Sequence, residues 1–411
     1  MQNVFETLQE RGFVQQCTNE TALAKLLSED RVTYYVGYDP TADSLHAGTL
    51  LPIMAMAHLQ RAGHKPIAII GGGTTMVGDP SGKTEMRQMM SRETIKANGV
   101  GLLKQLKRYL DLSGDRGLFL DNAEWLISLN YIEFLRDIGQ HFRVNEMIRS
   151  EAYRQRLERE EGLSFIEFNY QLLQAYDFLH LFQKHNCVLQ LGGDDQWGNI
   201  LAGVDLIRRM EGQTVHALTF PLLTTANGEK MGKTAGGAIW LDANRTSPYE
   251  FYQYWINTDD RDVERFLAYF TFLPISEVRR LGGLTGAESR TAKEVLAYEV
   301  TKLTHGEAEA ENARRASRAA FGGEDIDLSA IPTSEVESDR LSAGIAIIDL
   351  FHEVGLATSK GEARRLIQQG GAYLNGEQVA GIDAVATTED LDGEGIMLRS
   401  GKKRHHRIII A

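Results

Sequence analysis

Residues 228–234 read GEKMGKT and residues 78–84 read GDPSGKT, so the chain carries Gly-Lys-Thr twice. That triplet ends a phosphate-binding P-loop, which also needs a glycine five residues earlier so that successive backbone N–H groups curl around phosphate oxygens. The required positions hold Asn227 and Val77, and Pro80 removes an N–H from the earlier segment. Neither segment is a P-loop. What is left in the later one is a pair of ammonium groups, Lys230 and Lys233, followed by the Thr234 hydroxyl, in a glycine-flanked loop after a predicted strand. Such a loop either closes over a polyphosphate with its lysines as point charges or is a solvated turn.

Further candidates lie in PTADSLHAGT (40–49), which runs from a predicted strand end into a helix start. A helix start favours anions. His46 there either donates to a phosphate or acts as a cap, and Gly48 admits a base or ribose close to the backbone. Tyr170, Gln174 and Asp177 stand at i, i+4 and i+7, which places all three on one face of a predicted helix.

The elements that must position these residues alternate. VTYYVGYD (32–39) reads as a strand, HAGTLLPIMAMAHLQRAG (46–63) as a helix with a glycine stop, and KPIAIIGGG (65–73) as a buried strand. GLFLD (117–121), CVLQLGG (187–193) and HALTFPLLT (216–224) add strands separated by helical patterns. This predicts a doubly wound parallel α/β domain through about residue 224, whose ligands bind at the carboxyl ends of the strands. Gly37–Pro40, Gly71–Gly73 and Gly192–Gln196 fall at such ends. After Ser247-Pro248 the pattern turns helical, and GGEDIDLSAIPTSEVESD (322–339) reads as a polar linker before a small last domain.

Composition narrows the function classes. The 411 residues are 43% hydrophobic and 24% charged, ordinary for a globular protein. The first residues lack a basic-then-apolar pattern and no apolar run approaches a bilayer's span, so no secretory signal or membrane partner is expected. Cys17 and Cys187 form no CxxC pair, which speaks against a disulfide framework or structural zinc and for a reducing cytoplasm. The net charge of −12 would oppose a nucleic-acid partner, but residues 341–411 hold 8 Lys and Arg against 9 Asp and Glu. Their basic end, Lys402-Lys403-Arg404-His405-His406-Arg407, can meet phosphates on an otherwise acidic chain.

The His46 turn taken with the lysine loop resembles the paired signature of class I aminoacyl-tRNA synthetases, HIGH and KMSKS. Four further segments, YVGYDPTADSLHAG, GDPSGKTEMR, FNYQLLQAYDF and QLGGDDQWGNI, resemble bacterial tyrosyl-tRNA synthetases in the same order, and the likeness spans essentially the whole chain. Two positions depart from the class pattern: Thr49 stands where the first signature has His or Asn, and Gly232 interrupts the second.

The resemblance implies a Rossmann-like catalytic domain (1–224) with dimerisation helices near 130–165. An ATP loop and α-helical anticodon-side domain (225–320), a linker (321–340) and a small α+β RNA-binding domain (341–411) follow. It implies that Tyr35 and Asp177 bond the phenol of substrate tyrosine, that Asp79, Tyr170 and Gln174 hold its ammonium, and that Gln196 lies near its carboxylate. Buried partners for a hydroxyl reject phenylalanine because its absence leaves them unpaired, a principle for which tyrosyl-tRNA synthetases are the standard example. Gly37, Asp39, Thr41, His46, Gly48, Gly193 and Asp195 would contact ATP. His46, Thr49, Lys230, Lys233 and Thr234 would stabilise charge at its phosphates, with Mg²⁺ arriving on the nucleotide and no protein-held metal. For Lys83 and Arg87, a pyrophosphate role and a solvated loop stay open equally.

The implied reaction joins tyrosine to ATP and then to the terminal ribose of tRNA(Tyr), in a cytoplasmic homodimer that binds no DNA. GLATSKGEARRLIQQGGAYLNGEQV (355–379) resembles a small RNA-binding domain in which Lys360, Arg364 and Arg365, with Lys402, Lys403 and Arg404, would meet RNA phosphates. The sister tryptophanyl enzyme and a non-catalytic RNA-binding homologue are the alternatives. The Tyr35/Asp177 pair argues against the first, and the retained His46 and lysines against the second.

Overall fold

The computed structural model describes residues 3–81, 90–158, 162–228, 231–234, 237–322, 331–392, 395–401 and 404–411. The chain divides into two compact units, Met1–Gly232 with Asp259–Thr285, and Lys233–Thr258 with Gly286–Ala411.

The apolar runs of the first unit become a six-stranded sheet: β1 (Gln16–Cys17), β2 (Thr33–Tyr38), β3 (Lys65–Ile70), β4 (Leu118–Asp121), β5 (Cys187–Gly193) and β6 (His216–Phe220). Their spatial order is β1-β6-β5-β2-β3-β4, with only β1 antiparallel to its neighbour. β3 is buried over five consecutive residues, the pattern of a parallel strand covered on both faces. From β2 the chain winds outward to β3 and β4, then returns to the other side of β2 with β5 and β6. The order therefore reverses between β2 and β5, and a crevice opens at their carboxyl ends.

The segment from β2 to β3 passes through a 3₁₀ turn, Ala47–Thr49, into the helix Leu50–Arg61, nearly all of whose side chains are buried. The helix Tyr170–His185 leads into β5 and buries Ala175, Phe178, Leu179 and Leu181 in a core shared with Tyr35, Ile67, Ile69 and Trp125. The floor of the crevice is thus also part of the apolar core, which fixes its side chains tightly.

The expected helical domain over 225–320 is divided. Its stretch Asp259–Thr285 joins the first unit, because buried Arg11 donates to the carbonyls of Ala268 (2.8 Å), Thr271 (3.0 Å) and Leu273. Ala268 lies in the last turn of the helix Val263–Phe270, where backbone acceptors lack intrahelical partners, and Thr271 and Leu273 lie in the segment that follows it. The helices expected near 130–165 are short pieces: Tyr131–Asp137, Val144–Met147 and Glu151–Leu157. The last of them is tied to Glu167 by a buried Arg156–Glu167 ion pair at 3.0 Å.

In the second unit, helices Pro248–Ile256, Ser289–His305 and Glu307–Gly322 pack on one another. The tail forms a five-stranded sheet ordered Glu377–Gln378, Ala372–Leu374, Ile396–Ser400, Arg404–Ile410, Thr333–Val336, with helices Ile347–Glu353 and Lys360–Gln368 sharing its apolar core. Thr333–Val336 lies inside the segment read as linker. It pairs in parallel with Arg407–Ile410, so the small domain begins before residue 341.

Candidate active site

A cavity of about 340 Å³ opens at the β2/β5 switch point, within the usual size range of small-ligand sites. All six residues expected to hold tyrosine line it: Tyr35, Asp79, Tyr170, Gln174, Asp177 and Gln196. Of the nucleotide set, Gly37, Asp39, Thr49, Gly193 and Asp195 line it too. Thr41, His46 and Gly48 stand in the segment after β2 without lining this cavity. Lys83, Arg87, Lys230, Lys402 and Lys403 lie outside the described residues. The backbone of Lys233–Thr234 pairs with Gly237–Ala238 in the second unit.

The apolar end of the cavity is built for one hydroxyl. Asp177, 4% exposed, accepts from Asn122 Nδ2 (2.9 Å) and Trp125 Nε1 (2.7 Å). Burial pushes its carboxyl up to about 7; the two hydrogen bonds oppose that rise, and the negative charges of Asp39 and Asp121 reinforce it. The Tyr35 hydroxyl is buried and has no hydrogen-bond partner among the described residues. Burial, with Asp177 as a second cause, holds its phenol well above the ordinary range. A neutral hydroxyl donor and a carboxylate acceptor therefore await a ligand group that both accepts and donates, which is what a phenol does.

The other lining groups accept. Gln174 Oε1 and Gln190 Oε1 are buried without partners among the described residues. Asp79 is held by Ser81 N (2.9 Å) on one oxygen and by Gln196 Nε2 (2.7 Å) on the other, while Asn199 Nδ2 bonds Gln196 Oε1 at 3.1 Å. The Tyr170 hydroxyl donates to Asp39 Oδ2 at 3.4 Å and keeps its oxygen as an acceptor. An oriented carboxylate with amide and hydroxyl oxygens suits an ammonium group.

Beyond the cavity, the His46 turn closes on itself. The His46 N–H donates to Thr49 Oγ1 (3.2 Å), and that hydroxyl donates to the His46 carbonyl (2.6 Å). Gly48 N donates to His46 Nδ1 at 3.0 Å. A neutral imidazole that accepts at Nδ1 carries its proton on Nε2, so His46 is a donor through that atom. Thr49 fills the capping position its signature gives to His or Asn.

Asn122 and Trp125 escaped the sequence reading. Their signal was DNAEW (121–125), a polar cluster directly after β4 and therefore at a strand's carboxyl end. Asn122 also accepts from Gly73 N (2.8 Å) and donates to Thr74 Oγ1 (3.1 Å), tying two strand ends to Asp177. In the tail, Arg364 and Arg365 are exposed on the helix Lys360–Gln368, whereas Lys360 pairs with Asp349 at 3.0 Å. Arg404 donates to the carbonyls of Leu356 (3.2 Å) and Gly355, so it anchors the turn before that helix.

A doubly wound sheet with an amino-acid-sized cavity at its switch point and a capped His-Ala-Gly-Thr turn after β2 is the arrangement of a class I synthetase. Sequence comparison agrees: the chain belongs to the family of tRNA synthetases class I (W and Y), which matches residues 27–322. Within that class its relatives are tyrosine–tRNA ligases. The C-terminal domain of SYY-like tyrosine–tRNA ligases matches residues 325–408. The chain is 54% identical over 428 residues to the tyrosine–tRNA ligase of Desulfosudis oleivorans, covering 99% of both chains. It is 56% identical over 409 residues to that of Clostridium tetani, again covering 99% of each.

Among solved structures it resembles a C-terminally truncated mitochondrial tyrosyl-tRNA synthetase from Aspergillus nidulans. That match has a TM-score of 0.70 and 34% identity, over 77% of this chain and 94% of the other. A Plasmodium falciparum tryptophanyl-tRNA synthetase shares the fold at a TM-score of 0.53 and 16% identity, over 75% of this chain and 84% of the other.

Proposed function

We infer that the chain is a tyrosine–tRNA ligase: it activates L-tyrosine with ATP to tyrosyl-adenylate and pyrophosphate, then transfers tyrosine to the 3′-terminal ribose of tRNA(Tyr). The observation that carries this is the buried hydroxyl–carboxylate pair of Tyr35 and Asp177, one unpartnered and one braced by two donors. A phenylalanine ring would leave the Tyr35 hydroxyl unsatisfied and bring no donor to the buried Asp177 carboxylate, at about 1–3 kcal/mol for the unmatched hydroxyl.

Activation is attack of the tyrosine carboxylate on the α-phosphorus of ATP, forming a C–O–P bond as the bond to pyrophosphate breaks. The nucleophile comes ionised, so this step asks the protein for placement and charge stabilisation. In this reading Asp79, Tyr170 and Gln174 fix the ammonium and Gln196 the carboxylate end, while Asp195 accepts from ribose hydroxyls. His46 Nε2 and the ammonium groups of Lys230 and Lys233 meet phosphate oxygens. ATP brings Mg²⁺ as part of the substrate. In the second step a ribose hydroxyl of tRNA attacks the adenylate carbonyl and AMP leaves.

The tail carries the RNA contact through exposed Arg364 and Arg365, and the protein works in the cytoplasm, where tRNA is charged. It acts as a homodimer, a reading supported by large apolar side chains exposed in one stretch. Ile132 and Phe165 are 70% and 71% exposed there, too many and too large for an unpartnered face. Among the described residues no helix is long and apolar enough to cross a membrane.

Tyrosine-dependent exchange of pyrophosphate into ATP tests the activity. Its absence from folded protein overturns the assignment, and exchange driven by tryptophan moves the chain to the sister enzyme.

A further inference from the structure

Within the first unit, the His46 turn and the Met231–Gly232 stretch touch through glycines. Gly232 has φ +81°, and a Cβ built on it would lie 2.7 Å from Gly48 N and 3.3 Å from His46 Nδ1. Side-chain carbons do not approach backbone nitrogen that closely, so any residue larger than glycine forces a shift. The contact is reciprocal: a Cβ on Gly48 would lie 3.0 Å from the carbonyl oxygen of Met231 and 2.9 Å from His46 Cε1.

Neither side is free to retreat. Met231 is 2% exposed, and its N–H donates to the Leu223 carbonyl at 3.1 Å. Across the contact, Gly48 sits inside the His46–Thr49 capping box. The atom that a side chain at 232 would strike, Gly48 N, is the donor that holds His46 Nδ1 and leaves the ring's proton on Nε2. Displacing that amide removes the hydrogen bond that sets the tautomer and the ring plane.

We propose that Gly232 is a positioning residue for His46: the missing side chain lets the Met231–Gly232 backbone seat on Gly48 while the Gly48–His46 hydrogen bond stays intact. This gives a physical reason for glycine at a position where the class signature has serine. The proposal rests on the reading of His46 as a phosphate donor in tyrosine activation.

Gly228 supplies the control. It lies in the same segment with the same φ of +81°, but a Cβ there meets nothing within 4 Å. Gly228→Ala therefore imposes the backbone strain of an alanine at positive φ without the collision.

The test compares Gly232→Ala and Gly228→Ala in the full chain, with two readouts. One is the ¹⁵N spectrum of labelled histidine, the His46 signals being assigned by their loss in His46→Gln. The other is kcat for adenylate formation against the Kd for tyrosine, with a thermal melt to show folding. For Gly232→Ala we expect the accepting-Nδ1 signature of His46 to vanish and kcat to fall about ten- to a hundredfold, as for a small misplacement of a reacting group. The tyrosine Kd should not change, and Gly228→Ala should keep both signature and rate. A wild-type signature and rate in Gly232→Ala overturn the proposal, and so does an equal loss in Gly228→Ala. Absence of exchange in the unmodified enzyme would refute the functional reading instead, and the histidine spectrum would still decide the contact.

Discussion

The indole N–H of Trp125 donates to Asp177 Oδ1 at 2.7 Å, and Asn122 serves the other oxygen of the same carboxylate. Asp177 is thereby held in one orientation, with its remaining lone pairs directed by the bonds already made. Trp125 is itself locked by stacking on His180, ring centroids 4.4 Å apart and planes 14° from parallel. The orientation of Asp177 thus depends in part on Trp125, which does not line the cavity.

Asp177→Asn should weaken tyrosine binding, because an amide nitrogen replaces one acceptor oxygen and faces a donor. Trp125→Phe should weaken it less, since the carboxylate stays but loses one brace. We expect about 1–3 kcal/mol for the first change, the range for a buried polar group left unmatched. Calorimetric titration with tyrosine and with phenylalanine measures both affinity and discrimination. Unaltered values in Asp177→Asn would remove Asp177 from the specificity pocket.

Tyrosine affinity should depend on pH near neutrality. Burial pushes the Asp177 carboxyl up to about 7 from the ordinary 3.8. The raised value means that its contribution to the stability of the ligand-free fold is fully present below 3.8 and is lost as pH rises through 7. Binding runs the other way, because the phenol needs an ionised acceptor. Affinity should fall as pH drops below 7, approaching about tenfold per pH unit, and level off above it. Fluorescence titrations from pH 5.5 to 8.5 check this, and the dependence should disappear in Asp177→Asn.

Much of this site was legible because its residues announce themselves by type and place. Tyr170, Gln174 and Asp177 share a helix face at a spacing that can be counted, Tyr35 lies within β2, and Gly193 ends β5, both strands with apolar runs that stand out. Asn122 and Trp125 were not legible, because their bonds exist only once β4 lies beside β3 and the helix Tyr170–His185 brings Asp177 to them. The displacement of Asp259–Thr285 into the first unit was hidden for the same reason: it hinges on Arg11, more than two hundred residues away in sequence. Thr333–Val336 looks like linker because an edge strand needs little apolar content, and only its register with Arg407–Ile410 reveals it.

Paired charge substitutions on the exposed apolar stretch should dissociate the proposed dimer. Phe165→Asp with Ile132→Asp places carboxylates on two of its most exposed large apolar side chains. In a monomer these changes touch only solvent and should leave thermal stability of the first unit nearly unchanged. Sedimentation velocity should then show a single species of about 46 kDa, the mass of one chain, where the unmodified protein should sediment as twice that. A monomer before substitution, or a dimer after it, would contradict the assignment of this surface.

Removing the tail should separate the two half-reactions, provided the cut respects the sheet. A cut at 340/341 strands Thr333–Val336, whose parallel partner Arg407–Ile410 is then gone, and leaves an unpaired edge on the shortened protein. A cut after Gly322 removes the whole sheet, keeps the helix Glu307–Gly322, and leaves the cavity lining untouched. The 1–322 form should therefore retain tyrosine-dependent pyrophosphate exchange at nearly the full rate while charging tRNA poorly. Exposed Arg364 and Arg365 are among the groups it loses, so converting both to Ala in the full chain should reproduce part of the charging defect. It should also reduce the salt dependence of tRNA binding, since each phosphate contact contributes to that slope. Filter binding at several salt concentrations separates a lost phosphate contact from a misfolded tail. Equal charging by the 1–322 form would show that the tail serves something other than the cognate tRNA.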